Sequence, residues 1–302
     1  MTGYTKDIKE KMERLFEILL AIGQTEVLRK HLSLYGGTAL NILHLKQSPR
    51  LSEDLDFNFR HFGEEDWGKK RDKIDAGIKW ILDKLGYLKE EIRIQPQYNL
   101  NRFFIRYKGK NGKRDLLKIE IGYMRRIPDL KKDTSVEFRD ASLPRSVSIT
   151  TPKKEELFAN KFSTMFSRMK RRPNAKDVFD VVTISKLNFN KDLFLDLLMI
   201  ESILMNNRYD DMRFVRLNKS DSNYLDKLIV SGMDIEELNN EAKTFSENIL
   251  AELEDRKIRE FQSAFYNFGE VQLDLLKNPN SIHPDIQKHP QLLWLRKKYK
   301  KS

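Results

Sequence analysis

At 302 residues the chain is long enough to bury a sizeable core, and its length suggests about two domains. It has no cysteine, which excludes a disulfide framework, a zinc–thiolate site and a thiol nucleophile, and restricts any metal to oxygen or imidazole donors. The net charge of +11 favours polyanionic partners, although charge alone specifies no activity.

The opening "MTGYTKDIKEKMERLF" lacks the apolar core and cleavage site of a signal peptide. No run approaches the roughly 18 consecutive apolar residues of a membrane span, so a cytoplasmic location without a membrane partner is expected. In "KDIKEKMERLFEILLAIG" the residues Ile8, Met12, Leu15, Phe16, Leu19 and Leu20 recur at three-and-four spacing, which predicts an amphipathic helix. "SLYGGTALNILHL" reads as a short strand, a glycine turn and a helix opening near Thr38. "DLDFNF" alternates, putting Leu55, Phe57 and Phe59 on one face of a strand and Asp54, Asp56 and Asn58 on the other.

A helix from about Glu65 to Leu85 comes next, then three strand-like segments, "EIRIQ", "RFFIRY" and "LLKIEIGY", which complete a small sheet. "IPDLKKD" reads as a loop, and with "SLPRSVSITTPKK" it carries Pro128, Pro144 and Pro152. Beyond Pro152 the patterns turn helical, so the expected domains are 1–151, mixed α/β, and 152–302, helical. Helices are predicted in "EELFANKFSTMFSRM" and "AKDVFDVVTISKL", either side of the basic turn "KRRPN". Others follow at Leu193 to Met205, at Ile235 to Ile258 and near the C-terminus. No internal repeat or low-complexity tract is present.

Aspartate is depleted in strands, so Asp54 and Asp56 on one face need a reason. A solvent-exposed sheet face is one reading. Glu120 supplies another, since Ile119 and Ile121 flank it in alternation; if its strand lies beside "DLDFNF", three carboxylates converge, with Lys118 on the same side. Such oxygens suit a hard cation, and magnesium characteristically takes a few carboxylates plus substrate phosphates. One or two magnesium ions held this way would support in-line phosphoryl displacement, with a nucleoside triphosphate (NTP) as co-substrate.

Gly36, Gly37 and Thr38 then become candidates to hold a triphosphate, because glycine lets backbone N–H groups approach phosphate closely. The same glycines would also serve a plain strand-to-helix turn. Arg50 and Ser52 precede the acidic strand and could offer a guanidinium and a hydroxyl to the nucleotide, or in the case of Ser52 simply form a turn.

Lys161 falls among Leu157, Phe158, Phe162 and Met165, where a lysine must snorkel out or find an anion. Asp177 and Asp180 are i, i+3 neighbours on the following helix. They either cap it and pair with the basic turn, or work with Lys161, which would contact phosphate while Asp177 served as general base or orienting group. Between Lys161 and Lys176 there are six basic residues and no acidic one, and the tail "LRKKYKKS" adds five more. Arg168, Lys170, Arg171, Arg172 and Lys176 are thus candidates to grip a nucleic-acid backbone, against the alternative of a solvated helix end. His31, His44, His61, His283 and His289 show no ligand spacing and read as surface or core residues.

In order along the chain, "GGTAL", "RLSEDLDF", "KIEI", "EELFANK" and "KDVFDV" resemble the AbiEii/AbiGii-type nucleotidyltransferase toxins, within the DNA polymerase beta-like superfamily. The resemblance covers roughly Leu34 to Leu187. It implies an α+β fold, in which a small mixed β-sheet domain with flanking helices is followed by an α-helical domain, with a catalytic cleft between them. The implied activity is transfer of a nucleotide from an NTP with magnesium, as a toxin of type IV toxin–antitoxin or abortive-infection systems with a cognate antitoxin.

Some members act on the acceptor end of tRNA, which makes RNA, and tRNA in particular, the implied acceptor. By motif, Gly37 and Thr38 would contact phosphate, Asp54 and Asp56 would bind metal, and Glu120 would be the third acid. Lys161 and Asp177 match the late lysine and aspartate. The chain departs from the family where Lys176 and Phe179 replace an arginine and a tyrosine, keeping the charge and losing the hydroxyl. Two alternatives stay open: a protein or small-molecule acceptor such as an aminoglycoside, and a nucleotide- or RNA-binding protein without turnover.

Overall fold

Two amphipathic patterns, one of period two and one of period 3.6, divide the chain into a sheet-bearing unit and a helical unit. The computed structural model describes residues 5–45, 50–62, 66–139, 146–222 and 234–299. The first unit comprises residues 1–128 and 132–152, and the second comprises 129–131 and 153–302.

The first unit opens with α1 (Lys6–Gln24), where Thr5 caps the first turn, and α2 (Glu26–His31) follows directly. β1 (Leu32–Tyr35) runs into a helical turn, α3 (Gly36–Thr38), that continues as a π-helical segment, Ala39–His44. The helix expected near Thr38 therefore starts at Gly36, and the glycine pair lies inside its first turn rather than ahead of it. β2 (Asp54–Phe59), α4 (Trp67–Lys84), β3 (Ile92–Pro96), β4 (Leu100–Lys108) and β5 (Arg114–Gly122) complete the main sheet.

Among the described residues the sheet order is β1-β2-β5-β4-β3, with β2 and β5 parallel and the other pairs antiparallel. Leu34, Leu55, Phe57, Phe103, Ile105, Leu117, Ile119 and Ile121 point to one face and are buried. Met12, Leu15 and Leu19 of α1 and Ile74, Ile78 and Ile81 of α4 bury their stripes with them, as the spacing of both helices requires. Each such side chain contributes about 1.5–3 kcal/mol of hydrophobic stabilisation. The opposite face keeps the polar set of β2.

A hairpin, β6 (Thr134–Arg139) with β7 (Ser146–Thr151), fills the stretch before Pro152, beyond which the patterns turn helical. Val147 and Ile149 alternate inward against Gly23 of α1, and Phe138 meets Phe16 edge-on at 5.3 Å. Pro152 falls just past the last strand residue, where it removes no ladder hydrogen bond. Pro144 lies outside the described residues.

The second unit contains α5 (Lys154–Met169), α6 (Ala175–Ser185), α7 (Lys191–Leu204), α8 (Lys219–Ser222), α9 (Ile235–Asp255), α10 (Ile258–Phe268) and α11 (Pro290–Tyr299). The helix expected from Ile235 to Ile258 ends at Asp255 instead: Lys257 takes a left-handed conformation, φ +61°, and α10 starts afresh. Phe158, Phe162, Phe166, Phe194 and Phe265 are all buried in this unit's core. Phe162 packs edge-on against both Phe166 and Phe194. Among the described residues no helix is long and apolar enough to cross a membrane. The last three residues of the basic tail lie outside the described residues.

Candidate active site

Strand register carries the polar face of β2 into a row of charge. Asp56 lies opposite Tyr35 of β1 on one side and Glu120 of β5 on the other, and Glu120 in turn lies opposite Arg102 of β4. One step along, Asp54 lies opposite Lys118. The parallel β2–β5 pairing thus brings Asp54, Asp56 and Glu120 to one face of neighbouring strands, as their alternation with buried residues demands.

These acids are not bare. Lys118 Nζ lies 2.8 Å from Asp54 Oδ2 and 3.5 Å from Glu120 Oε1, and Arg102 Nε donates to Glu120 Oε1 at 2.8 Å. Partial burial alone would pull the Lys118 ammonium down, but the Asp54 hydrogen bond and the charges of Asp54, Glu120 and Asp56 outweigh it and hold it above its ordinary value. Among the described residues no three His, Cys, Asp or Glu side chains stand grouped as a metal cluster. The row is a set of hard oxygen donors, of which Asp54 and Glu120 are engaged by the basic side chains of Lys118 and Arg102.

The glycine pair abuts this row. Gly36 has φ +72°, which favours glycine, and a β-carbon there would collide with Asp56 Oδ2. A β-carbon on Gly37 would stand 2.8 Å from Arg50 Nη2 and 2.9 Å from Ser52 Oγ. Thr38 donates its hydroxyl to the Asp54 carbonyl, and Asn41 Nδ2 donates to the Gly37 carbonyl at 2.9 Å, pinning the turn from both ends. Gly36, Gly37, Thr38, Arg50, Ser52, Asp54 and Asp56 therefore form one constellation, in which the lack of side chains on the glycines lets a buried guanidinium and a carboxylate close directly onto the backbone of the turn. That environment fits phosphate on the Arg50 side and a hard divalent cation on the Asp56 side.

The helical unit carries a second cluster. Lys161 of α5, which had to find an anion, pairs with Asp180 of α6 at 2.8 Å, with both side chains almost fully buried. Arg168 donates to both oxygens of Asp177, at 3.0 and 2.7 Å, from a guanidinium that is half exposed. Lys170 reaches Asp211 at 3.3 Å. Arg171 and Arg172 are exposed just beyond the end of α5 and make no ion pair among the described residues, and Lys176 is half-buried in the first turn of α6. His283 and His289 are buried while His31, His44 and His61 are half-buried, in keeping with structural roles.

Sequence reasoning assigned no role to Arg102, and none to Arg125, whose guanidinium lies 5.8 Å from the centre of the Tyr35 ring. Arg102 comes to Glu120 only through cross-strand register, 18 positions away in sequence, and no local pattern announces it. Lys118 was visible as the alternating neighbour of Glu120.

A sequence model described as "Nucleotidyl transferase AbiEii toxin, Type IV TA system" matches residues 18–274, most of the chain. The chain belongs to the AbiEii nucleotidyltransferase toxin family. It is a nucleotidyltransferase of a type IV toxin–antitoxin family, which implies an NTP as substrate and an antitoxin as partner, and such toxins generally use a divalent metal.

Among solved structures, the chain is similar to the nucleotidyltransferase toxin MenT4 of Mycobacterium tuberculosis H37Rv, at 15% identity and a TM-score of 0.50, covering 83% of this chain and 99% of that one. That likeness is one of fold. An antigenic nucleotidyltransferase-like protein from Paracoccidioides brasiliensis matches at 16% identity and a TM-score of 0.37, over 68% of this chain and 91% of that one. Comparison with curated proteins finds no match.

Proposed function

We propose that this AbiEii-family chain transfers a nucleoside monophosphate from an NTP to the 3′-hydroxyl of an RNA, namely tRNA, in the cytoplasm, and that its toxicity follows from blocking that RNA end. The observation that carries the reading is the junction of Gly36 with Asp56, where the backbone of the glycine turn and the hard-oxygen row meet. Neither half alone is specific; their contact is what nucleotide transfer requires.

In this reading the Gly36–Thr38 backbone, Arg50 and Ser52 hold the triphosphate, and Asp54, Asp56 and Glu120 would hold magnesium. When bound, magnesium supplies charge neutralisation of the phosphates and acidification of the attacking hydroxyl. The acceptor oxygen forms a bond to the α-phosphorus while the bond to the bridging α–β oxygen breaks, and pyrophosphate leaves. The hydroxyl proton passes to the acid row, where Asp56, which lies between Tyr35 and Glu120 in strand register, is the candidate base.

Lys161, fixed by Asp180, is assigned to phosphate. Asp177, with both oxygens engaged by Arg168, suits an orienting role better than that of a general base. Arg168, Lys170, Arg171, Arg172 and Lys176 are assigned to the RNA backbone, where basic contacts give salt-sensitive and largely sequence-independent affinity.

The test is to incubate the protein with magnesium, each α-labelled NTP in turn and total tRNA, and to follow label into RNA. Transfer with one or more nucleotides is expected. Labelling of protein or of a small molecule in place of RNA would move the acceptor; folded, nucleotide-binding protein that labels nothing would overturn the transferase reading.

A further inference from the structure

The acid row carries its own cation. Asp54, Asp56 and Glu120 share one sheet face, and like charges so placed raise each other's energy unless a positive group intervenes. Lys118 is that group on the Asp54 side: its ammonium lies 2.8 Å from Asp54 Oδ2 and 3.5 Å from Glu120 Oε1, reaching across to two of the three acids at once. Arg102 closes the far side of Glu120.

A magnesium-sized ion needs its oxygens at about 2.0–2.1 Å in near-octahedral array. It cannot take Asp54 Oδ2 at that distance while an ammonium stays on the same oxygen, because two positive charges would then sit within a few ångströms of each other in a partly desolvated site. One cation must leave, and the lysine is built to do so. Its side chain is 27% exposed, so it has solvent to move into, and its four-carbon stem is flexible where the Arg102 fork is rigid. The ammonium that swings off Asp54 stays tethered to β5, on the face where phosphates are read to arrive.

We propose that Lys118 is the resident counter-cation of the acid row, displaced when a divalent cation binds and then turned toward the phosphates that accompany it. The inference rests on the reading of that row as the metal site. It assigns Lys118 two roles that alternate: it neutralises the row in the ligand-free protein, and it contributes to triphosphate binding in the loaded one. Its consequence is ordering: a bare divalent cation competes poorly with Lys118, whereas a cation arriving with a triphosphate brings an anion for the released ammonium.

The probe is manganese, counted as free and bound ion by electron paramagnetic resonance on the full chain. Lys118→Met is expected to bind manganese about tenfold or more tightly than wild type without nucleotide, since a competing charge is gone. It is also expected to lose most of the gain in manganese affinity that a non-hydrolysable NTP analogue gives wild type. Equal or weaker manganese binding by K118M, with Asp56→Asn abolishing it, would overturn the role of Lys118 and leave the acid row standing. Manganese binding unchanged in D56N would overturn the row and this inference together. Wild type gives a second readout that needs no variant: acylation of Lys118 by an amine reagent, followed by peptide mass spectrometry, is expected to rise several-fold at manganese concentrations that the resonance signal shows to saturate the site, and an unchanged rate at saturation would overturn the displacement.

Discussion

Gly36→Ala separates the cost of a backbone shape from the cost of a contact. Gly36 has φ +72°, and placing an L-residue there costs roughly 1–2 kcal/mol. Gly86 has φ +86° with nothing within 4 Å of an added β-carbon, so Gly86→Ala carries the same backbone penalty and no collision. Urea unfolding is expected to show G86A destabilised by about 1–2 kcal/mol. G36A should lose at least as much, because its β-carbon also meets Asp56 Oδ2.

Nucleotide transfer should part the two variants. G86A is expected to keep wild-type activity; G36A, whose Asp56 carboxylate must shift by an ångström or so, is expected to lose about 100-fold or more. Equal activities in the two variants would refute the coupling of the glycine turn to the acid row.

Other expectations follow from groups the structure holds tightly. Asp196 is fully buried and accepts from Arg256 Nη1 at 2.8 Å, from the Lys277 and Asn278 backbone N–H groups and from Asn278 Nδ2, so Asp196→Ala should cost about 3–5 kcal/mol in urea unfolding. A loss under about 1 kcal/mol would show the network to be dispensable. Burial pushes the Asp75 carboxyl up, against hydrogen bonds from Tyr123 and Asn101 and the charge of Arg71. A raised folded pKa means stability is fully present below the unfolded value and is lost as pH rises through the folded one. Asp75→Asn should therefore gain stability relative to wild type as pH rises above the ordinary carboxylate value of about 4, and a pH-independent difference would contradict this. Replacing both Arg171 and Arg172 with glutamine should reduce the slope of log affinity for RNA against log salt by about 1.4, roughly 0.7 per phosphate contact, without changing which RNA is preferred. An unchanged slope would remove these arginines from the interface.

The acid strand was legible because its one buried face forces alternation: Leu55, Phe57 and Phe59 could point only one way, so Asp54 and Asp56 had to share the other. The amphipathic helices α1 and α4 were legible for the same reason, their stripes being set by burial, whereas α7, buried on every side from Phe194 to Leu204, was legible as a largely apolar run. What sequence could not supply is pairing between distant segments. Arg102 meets Glu120, and Lys161 meets Asp180 rather than another anion, only once strands register and helices pack.

Local chemistry also misled. The segment "SLPRSVSITTPKK" reads only as the approach to a domain boundary, yet Val147 and Ile149 alternate within a hairpin that ends just before Pro152. The apolar period runs on through Leu253 and Ile258, both buried, and hides the left-handed break at Lys257 between them. A lysine with positive φ has no sequence signature comparable to that of glycine.

The central claim is that the acidic face of β2 performs the transfer, and Asp56→Asn tests it most directly. The amide keeps the size of the side chain and removes one negative charge from a repelling row, so the fold should be as stable as wild type or more so. Label transfer from α-labelled NTP to tRNA by D56N is expected to fall by about a thousandfold or more, the loss of roughly 4 kcal/mol of transition-state stabilisation, with an unfolding midpoint no lower than that of wild type. A D56N protein that folds normally and labels tRNA at the wild-type rate would contradict the account.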